Sequence, residues 1–292
     1  MMLLKFKSLQ FLSLEGVYLN EEMIKCLTAG CPLEKFNVYR CYGFKRFCVY
    51  GLQNLRNVKL YYVHEVEEID IQAPNLSKIY LYPTSTGDKP PRTNLFSGKK
   101  LTMIFRGCLS EQFAVSLSSF PFLDTLILEL SYNCRNFKLS SHSLRMSSLD
   151  TQIGLDKIEI DTPNLHYFQY YFRRPIVLPS IRNSRPMKAC MECYPDFHCD
   201  TDWFQQFRRF LDKSIIFKVL KLNISMNFKD VEGLKLLDWP PFELEHIELK
   251  MLGISDYLRV VEANLWCCRP KSLTLKPFYI SNGRRDQMVK FT

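Results

Sequence analysis

The residues best suited to metal chemistry lie in one segment, where Cys190 and Cys193 form a Cys-x-x-Cys pair that His198 and Cys199 follow. Two thiolates joined by a tight turn can form half of a zinc site. The second half is poor, because adjacent His and Cys side chains project in different directions and no second Cys-x-x-Cys completes four ligands. We therefore predict loop cysteines here, with no metal and no other cofactor.

Histidine offers no catalytic motif either. The five histidines are His64, His142, His166, His198 and His246. None of them belongs to an H-E-x-x-H motif, and the chain lacks a G-x-S-x-G elbow, a Gly-rich phosphate loop and a kinase-type motif. His142 and His166 fall at repeat positions where packing or surface exposure is the ordinary outcome. The sequence predicts no catalytic residue and no enzyme.

A recurring phrase dominates the chain. The pattern I-x-I-x-x-P-N-L occurs at residues 69–76 and again at 158–165. A wider unit, L-x-x-L-x-L, starts at successive intervals of 24, 22, 21, 25, 22, 21 and 21 residues, at Leu9, Leu33, Leu55, Leu76, Leu101, Leu123, Leu144 and Leu165. Leucine-rich repeats have periods of about 20–29 residues. The alternating x-L-x-L part has the period of two that a strand requires.

These repeats predict an α/β leucine-rich-repeat solenoid. We expect a curved parallel sheet on its concave side, with short helices and irregular turns on its convex side. Residues 21–27 have helical spacing and follow Asn20, a good N-cap, and residues 111–117 resemble them. The prolines of the recurring phrase, Pro74 and Pro163, favour irregular turns because proline breaks a helix.

The spacing of the repeats divides the chain into three parts. Residues 1–171 are predicted to be N-terminal repeats, 172–200 a Pro- and Cys-containing loop insertion, and 201–292 C-terminal repeats of the same solenoid. The loop is predicted because prolines interrupt it, at Pro175, Pro179, Pro186 and Pro195. Residues 202–211 then have the pattern of an amphipathic helix.

Composition excludes several classes of function. The net charge is +9, but the basic residues are dispersed, which favours a solvated surface over nucleic-acid binding. No apolar run approaches the ~20 residues of a membrane helix, and the N-terminal residues do not resemble a signal peptide. The 11 cysteines, an odd number, favour reduced thiols. We therefore predict a cytoplasmic or nuclear protein.

The outward positions of the repeat strands predict a partner-binding face. Repeats two to four would present nine side chains on it: Lys35, Asn37, Tyr39, Asn57, Lys59, Tyr61, Lys78, Tyr80 and Tyr82. The same count assigns Met103 and Phe105 to this face in repeat five. Tyrosine is enriched in interfaces, although it also simply suits strands. The lysines favour an acidic or phosphorylated protein segment as the partner.

Five phrases of the chain lie at residues 31–36, 120–126, 139–144, 160–165 and 265–273. In this order they resemble phrases of plant F-box/LRR proteins, and the resemblance covers essentially the whole chain. The resemblance implies that the repeats recruit a substrate for ubiquitination. It also implies an N-terminal F-box, which docks the Skp adaptor of a cullin–RING ubiquitin ligase.

The first repeat begins at Leu9, which leaves no room for an F-box within this chain. We therefore predict a non-catalytic protein–protein interaction module, the substrate-recognition part of an SCF-type receptor, with Skp binding only if an F-box lies upstream. Two alternatives are an LRR fragment of a plant intracellular immune sensor and a free-standing LRR binding protein. No nucleotide-binding motif occurs, and the phrase at 160–165 favours the first interpretation.

Overall fold

A computed structural model describes residues 7–63, 65–83, 91–107, 117, 120–130, 136–151, 155–172, 179–182, 187–193, 201–212, 219–224, 240–251 and 257–277. Its main feature is a sheet of twelve strands, all paired in parallel. In spatial order these strands are β1 (Phe11–Glu15), β2 (Lys35–Tyr39), β4 (Asn57–Val63), β6 (Lys78–Pro83), β8 (Leu101–Gly107), β9 (Leu123–Leu130), β11 (Met146–Thr151), β13 (Tyr167–Phe172), β15 (Lys188–Cys193), β16 (Val219–Ile224), β17 (Phe242–Met251) and β18 (Cys268–Pro277).

The strands of this long sheet alternate buried apolar residues with more exposed residues. In β2, Phe36 and Val38 are fully buried, whereas Lys35 between the turn and Phe36 is exposed. The equivalent apolar residues of the other strands stack into one continuous core. Because each repeat buries its apolar face only against its neighbours, the units must be stacked to be stable. The predicted leucine-rich-repeat solenoid is therefore confirmed.

The backs of the repeats are more regular than the sequence analysis predicted. Two further parallel sheets of three strands each lie there, instead of irregular turns: β3 (Arg46–Tyr50), β5 (Glu68–Gln72) and β7 (Arg92–Phe96), and β10 (Asn136–Ser140), β12 (Lys157–Asp161) and β14 (Pro179–Arg182). The I-x-I half of the recurring phrase forms β5 and β12. Ile69 and Ile71 are buried while Asp70 between them is not, which is the alternation of a strand.

The P-N-L half of the phrase has a separate structural role. It forms a turn in which the amide of Leu76 donates to the carbonyl of Ala73 at 3.0 Å. The Asn75 side-chain Nδ2 donates to the carbonyl of Gln53 in the preceding repeat, at 2.7 Å. In the second copy, Asn164 Nδ2 donates to the carbonyl of His142 at 2.7 Å. Each asparagine thus ties its turn to the turn before it, which explains why the phrase recurs.

Three helices complete the described fold: α1 (Glu21–Thr28), α2 (Thr201–Asp212) and α3 (Tyr257–Cys267). The predicted N-cap is confirmed, since Asn20 Oδ1 accepts a hydrogen bond from the Met23 amide at 2.8 Å. The helix predicted at 111–117 lies outside the described residues, apart from the buried Leu117. No helix in the described part of the chain is long and apolar enough to cross a membrane.

The segment 172–200 is not simply a loop. Strands β14 and β15 lie within it, and β15 pairs with β13 on one side and β16 on the other, so the long sheet runs through the segment. The loop prediction was wrong for these residues, because a proline can begin a strand without interrupting it. Pro179 is the first residue of its strand, a position that tolerates proline. The other three prolines of this segment lie outside the described residues, and the three-part division otherwise stays a prediction.

Candidate functional site: an aromatic and basic face of the long sheet

The register of the long sheet brings the nine predicted residues together. Strands β2, β4 and β6 align them in three columns, which are Lys35–Asn57–Lys78, Asn37–Lys59–Tyr80 and Tyr39–Tyr61–Tyr82. Lys35 is exposed and the other eight are half-buried, as expected for the solvent side of a sheet. Their placement on one surface follows from the period of two. That this surface binds a partner stays a prediction.

The tyrosines of the last column form a ladder. The rings of Tyr61 and Tyr82 are stacked, with centroids 4.4 Å apart and planes 22° apart. Tyr39 lies 6.3 Å from Tyr61 on the other side, and Tyr80 lies 6.3 Å from Tyr61 in the neighbouring column. Aromatic pairs of this kind contribute about 0.5–1.5 kcal/mol beyond their buried area. The ladder is therefore a rigid surface whose contact area costs little conformational entropy when a partner binds.

Lysines border this ladder. The ammonium of Lys59 lies 4.8 Å from the centroid of Tyr80, and that of Lys78 lies 5.2 Å from the same ring. Cation–π contacts at such distances contribute about 0.5–1 kcal/mol at exposed sites. Among the described residues, neither of these lysines nor Lys35 forms a salt bridge with a carboxylate. Their charge therefore stays uncompensated by the described acidic groups and can attract an anionic partner.

Two residues that the sequence analysis missed extend the surface. Arg40 and Tyr62 follow the strands, and both have left-handed backbones, with φ of 51° and 52°. The equivalent residue of the first repeat is Gly16, whose φ of 64° costs glycine nothing. A non-glycine residue in this conformation costs about 1–2 kcal/mol. Such strain is often retained at functional positions.

The strained backbone directs both side chains onto the ladder. The Arg40 guanidinium lies 4.9 Å from the ring centroid of Tyr39. The Tyr62 ring meets that of Tyr39 edge to face, with centroids 5.6 Å apart. Neither residue belongs to the L-x-x-L-x-L hexad, so only the conformation of the turn could have identified it.

Arg106 of β8 marks the far end of the surface. Its guanidinium lies 5.8 Å from the Tyr82 ring and forms a salt bridge of 2.7 Å with Glu129. From here on we call the nine predicted residues, together with Arg40, Tyr62 and Arg106, the aromatic–basic face. Of its five cationic groups, only the guanidinium of Arg106 forms a salt bridge with a described carboxylate, and Glu129 partly neutralises it. The face therefore ends beside the carboxylate of Glu129 on β9.

The assignment of Met103 and Phe105 to this face was wrong. In β8, Thr102 aligns with Lys78 and Ile104 with Tyr80, so that Met103 and Phe105 point inward and are fully buried. The register is irregular between Leu101 and Thr102. The hexad counted from Leu101 is consequently one residue out of phase, and a slip of one residue exchanges the two faces of a strand.

One polar atom within the aromatic–basic face has no hydrogen-bond partner in the described part of the chain. The side-chain oxygen Oδ1 of Asn57 is buried and accepts no hydrogen bond from any described residue. An unsatisfied buried polar atom costs about 1–3 kcal/mol, so most such atoms are paired. The oxygen lies in the column between Lys35 and Lys78.

The cysteine segment has a different geometry from a zinc half-site. Cys190 and Cys193 both lie in the extended strand β15, which separates their Cα atoms by about 10 Å instead of joining them by a tight turn. Burial raises the pKa of the Cys190 thiol to about 11. His198 and Cys199 lie outside the described residues. Within the described part of the chain, no three His, Cys, Asp or Glu side chains are grouped as a metal site.

The described histidines lie in two separate places on the solenoid. His142 and His166 lie together in a groove at the start of the strands. His246 Nδ1 lies 2.8 Å from the hydroxyl of Ser272, far along the sheet. His64 and His198 lie outside the described residues.

A family model described as At1g61320/AtMIF1, LRR domain, matches residues 1–154. The match covers more than half of the 292 residues, and the chain belongs to this family of leucine-rich-repeat domains. It includes every strand of the aromatic–basic face. No curated protein and no solved structure shows significant similarity to the chain. Domains of this class are typically non-catalytic modules for protein interaction, whereas the F-box relationship stays a resemblance.

Proposed function

We propose that the aromatic–basic face binds an acidic or phosphorylated segment of a partner protein. The observation that carries this proposal is the arrangement of Lys59 and Lys78 around Tyr80, beside the stacked ladder of Tyr61 and Tyr82. Carboxylates or phosphates of the partner would neutralise lysines that have no described salt-bridge partner. The tyrosine rings would cover the apolar parts of the same segment.

The dimensions of the face favour a short extended segment. Neighbouring strands of a sheet are about 4.8 Å apart, so β2, β4 and β6 together span about 10 Å. An extended peptide covers that distance with about three residues.

The test begins with the full chain as bait for a random peptide display library. We expect the selected peptides to be enriched in Asp and Glu, and their binding to weaken as salt concentration rises. The affinity of one selected peptide is then measured by calorimetry for Lys59→Ala/Tyr61→Ala. Loss of hot-spot residues should weaken binding about 30-fold or more.

The chain offers a matched control in Lys45→Ala/Tyr50→Ala. These residues have the same types and lie at or beside the back strand β3, with Lys45 bound to Glu67 and Tyr50 to Asp70. The control removes the same charge and the same ring, and should leave binding within about twofold. Equal binding by both double variants, or selection of neutral or basic peptides, would contradict the proposal.

The family resemblance supports a finer proposal. The bound segment would belong to a substrate that an SCF-type ubiquitin ligase modifies, and the chain itself would catalyse nothing. A Skp-type adaptor would dock only through an F-box. Co-purification of the adaptor with the protein expressed in plant cells tests this role. Peptide binding without any adaptor would favour a free-standing binding module, whereas a nucleotide-binding partner domain would favour the immune-sensor alternative.

A further inference from the structure

A second candidate binding site lies at one edge of the long sheet and is concave. It is a groove of about 610 Å³, lined by the turns that precede strands β8, β9, β11 and β13. These turns stack because each repeat starts its strand at the same edge. We call this feature the edge groove. It shares no residue with the aromatic–basic face, which lies on other strands or at their opposite ends.

The edge groove is cationic. Lys99, Lys100 and Arg145 line it, and among its described lining residues Asp124 is the only carboxylate. Lys100 Nζ lies 3.3 Å from Asp124 Oδ1, and Arg145 Nε lies 3.8 Å from the same atom. One carboxylate therefore faces two cations. Lys99 forms no salt bridge with a described residue, so the groove has an excess of two positive charges before its histidines are counted.

The two histidines add hydrogen-bonding groups. His166 Nδ1 lies within hydrogen-bonding distance of the carbonyl of Asn164, which can only accept, so Nδ1 carries the proton. Nε2 of the same ring is then the hydrogen-bond acceptor of this tautomer. His142 is also exposed in the groove. Its turn is fixed because Asn164 Nδ2 donates to its carbonyl.

The backbone holds the lysines in place. The amide of Gly98 donates to the carbonyl of Pro74 at 2.9 Å. A Cβ at Gly98 would lie 3.1 Å from that carbonyl oxygen, so a side chain would push the turn away from its neighbour. The hydroxyl of Ser97 also accepts from the amide of Lys99 at 3.0 Å. This turn therefore presents Lys99 and Lys100 at a fixed place in the groove.

We propose that the edge groove binds a phosphomonoester dianion. Ammonium and guanidinium groups from two turns border one concave volume beside the two imidazole rings, and a phosphate can accept hydrogen bonds from both kinds of cation at once. A half-buried aromatic ring, Phe122, provides an apolar wall for the organic part of the ligand. The phosphate belongs either to a small phosphorylated molecule or to a phosphorylated protein residue. The proposal does not depend on the function proposed for the aromatic–basic face.

The test is a titration of the full chain with inorganic phosphate. The side-chain resonances of His142 and His166 are followed by NMR, with sodium chloride at matched ionic strength as the reference. We expect saturable shifts of both histidines with phosphate and none with chloride. Equal shifts in the two salts, or no shift of either histidine, would overturn the proposal.

Variants test whether the phosphate binds in the edge groove. Lys99→Ala/Arg145→Ala should weaken phosphate binding at least about tenfold, as expected for the loss of charged hydrogen bonds. Lys138→Ala/Arg182→Ala removes the same two charges from the exposed side of the back strands β10 and β14, and should change binding less than about twofold. Circular dichroism of both variants verifies that they are folded. A similar loss in both would show a general charge effect and refute the site.

Two further ligands identify the source of the phosphate. A phosphoserine peptide and a hexose phosphate are titrated in the same way. Tighter binding of the peptide than of inorganic phosphate assigns the groove to phosphorylated protein segments. Tighter binding of the sugar phosphate assigns it to small molecules. If neither exceeds inorganic phosphate, the groove does not recognise phosphomonoesters and the proposal fails.

Discussion

The asparagine of the recurring phrase is predicted to stabilise the solenoid by joining neighbouring repeats. The perturbation is Asn75→Ala, with Asn164→Ala as its counterpart in the second copy. Each substitution removes one hydrogen bond of 2.7 Å to a turn carbonyl of the preceding repeat. Asn75 is the cleaner site, because Asn164 also lines the edge groove.

The expected magnitude follows from the surroundings of that carbonyl. A typical hydrogen bond contributes about 0.5–1.5 kcal/mol to the free energy of unfolding, and an unsatisfied buried acceptor costs about 1–3 kcal/mol. Both bonds are exposed, so water can replace the lost donor. We therefore expect each substitution to lower the free energy of unfolding by about 1 kcal/mol. Asn75→Asp should cost more, since its carboxylate cannot donate to the carbonyl.

Urea denaturation followed by circular dichroism measures these changes. The control is Asn37→Ala on the long sheet, where the side chain forms no hydrogen bond with a described residue. Asn37→Ala should change the free energy of unfolding by less than about 0.5 kcal/mol, as surface substitutions usually do. If Asn75→Ala and Asn164→Ala are both as mild as this control, the account of the recurring phrase is refuted.

Two further predictions concern a thiol and a register. Since burial raises the pKa of Cys190 to about 11, its thiol stays protonated at pH 8 and becomes reactive only as the pH approaches that value. Mass spectrometry after iodoacetamide treatment of the native protein should find it less modified than the half-buried Cys26 and Cys48, and equal modification would contradict its burial. Met103→Lys should prevent folding by placing a charge in the core, whereas Ile104→Lys should be tolerated, as circular dichroism would show. The reverse result would restore the register counted from Leu101.

The repeats could be predicted because the signals that specify them lie close together in the sequence. An apolar residue at every second position specifies a strand, and a regular interval specifies stacking. The same is true of α1, whose N-cap Asn20 and apolar spacing are both contained in a dozen residues. The nine side chains of the predicted face followed from these local rules, since one correct register orients a whole strand.

The features that the sequence did not reveal depend on weaker or longer-range signals. The back strands alternate over only three residues, as in Ile69-Asp70-Ile71, which is too short to outweigh a following proline. At β8, Ile104 fits the hexad counted from Leu101, whereas Leu101, Met103 and Phe105 fit the alternation of a strand, so the apolar residues permit two registers. No local residue marks the left-handed conformation of Arg40.

The edge groove depends on the longest-range information. Its lysines, histidines and arginine come from turns of different repeats, between Gly98 and His166. Only the stacking of those repeats brings them together. A search for motifs with fixed spacing therefore cannot find such a site.

The central claim is that the aromatic–basic face binds an acidic segment of a partner protein. Protection of individual lysines from acetylation tests it most directly, because it reports where a ligand is bound. The full chain is acetylated in limiting reagent, with and without an acidic peptide selected by display, and each lysine is quantified by mass spectrometry. The account predicts that the bound peptide slows acetylation of Lys59 and Lys78 several-fold and leaves Lys45 and Lys157 unchanged. Protection of Lys45 or Lys157, with Lys59 and Lys78 as reactive as before, would contradict it.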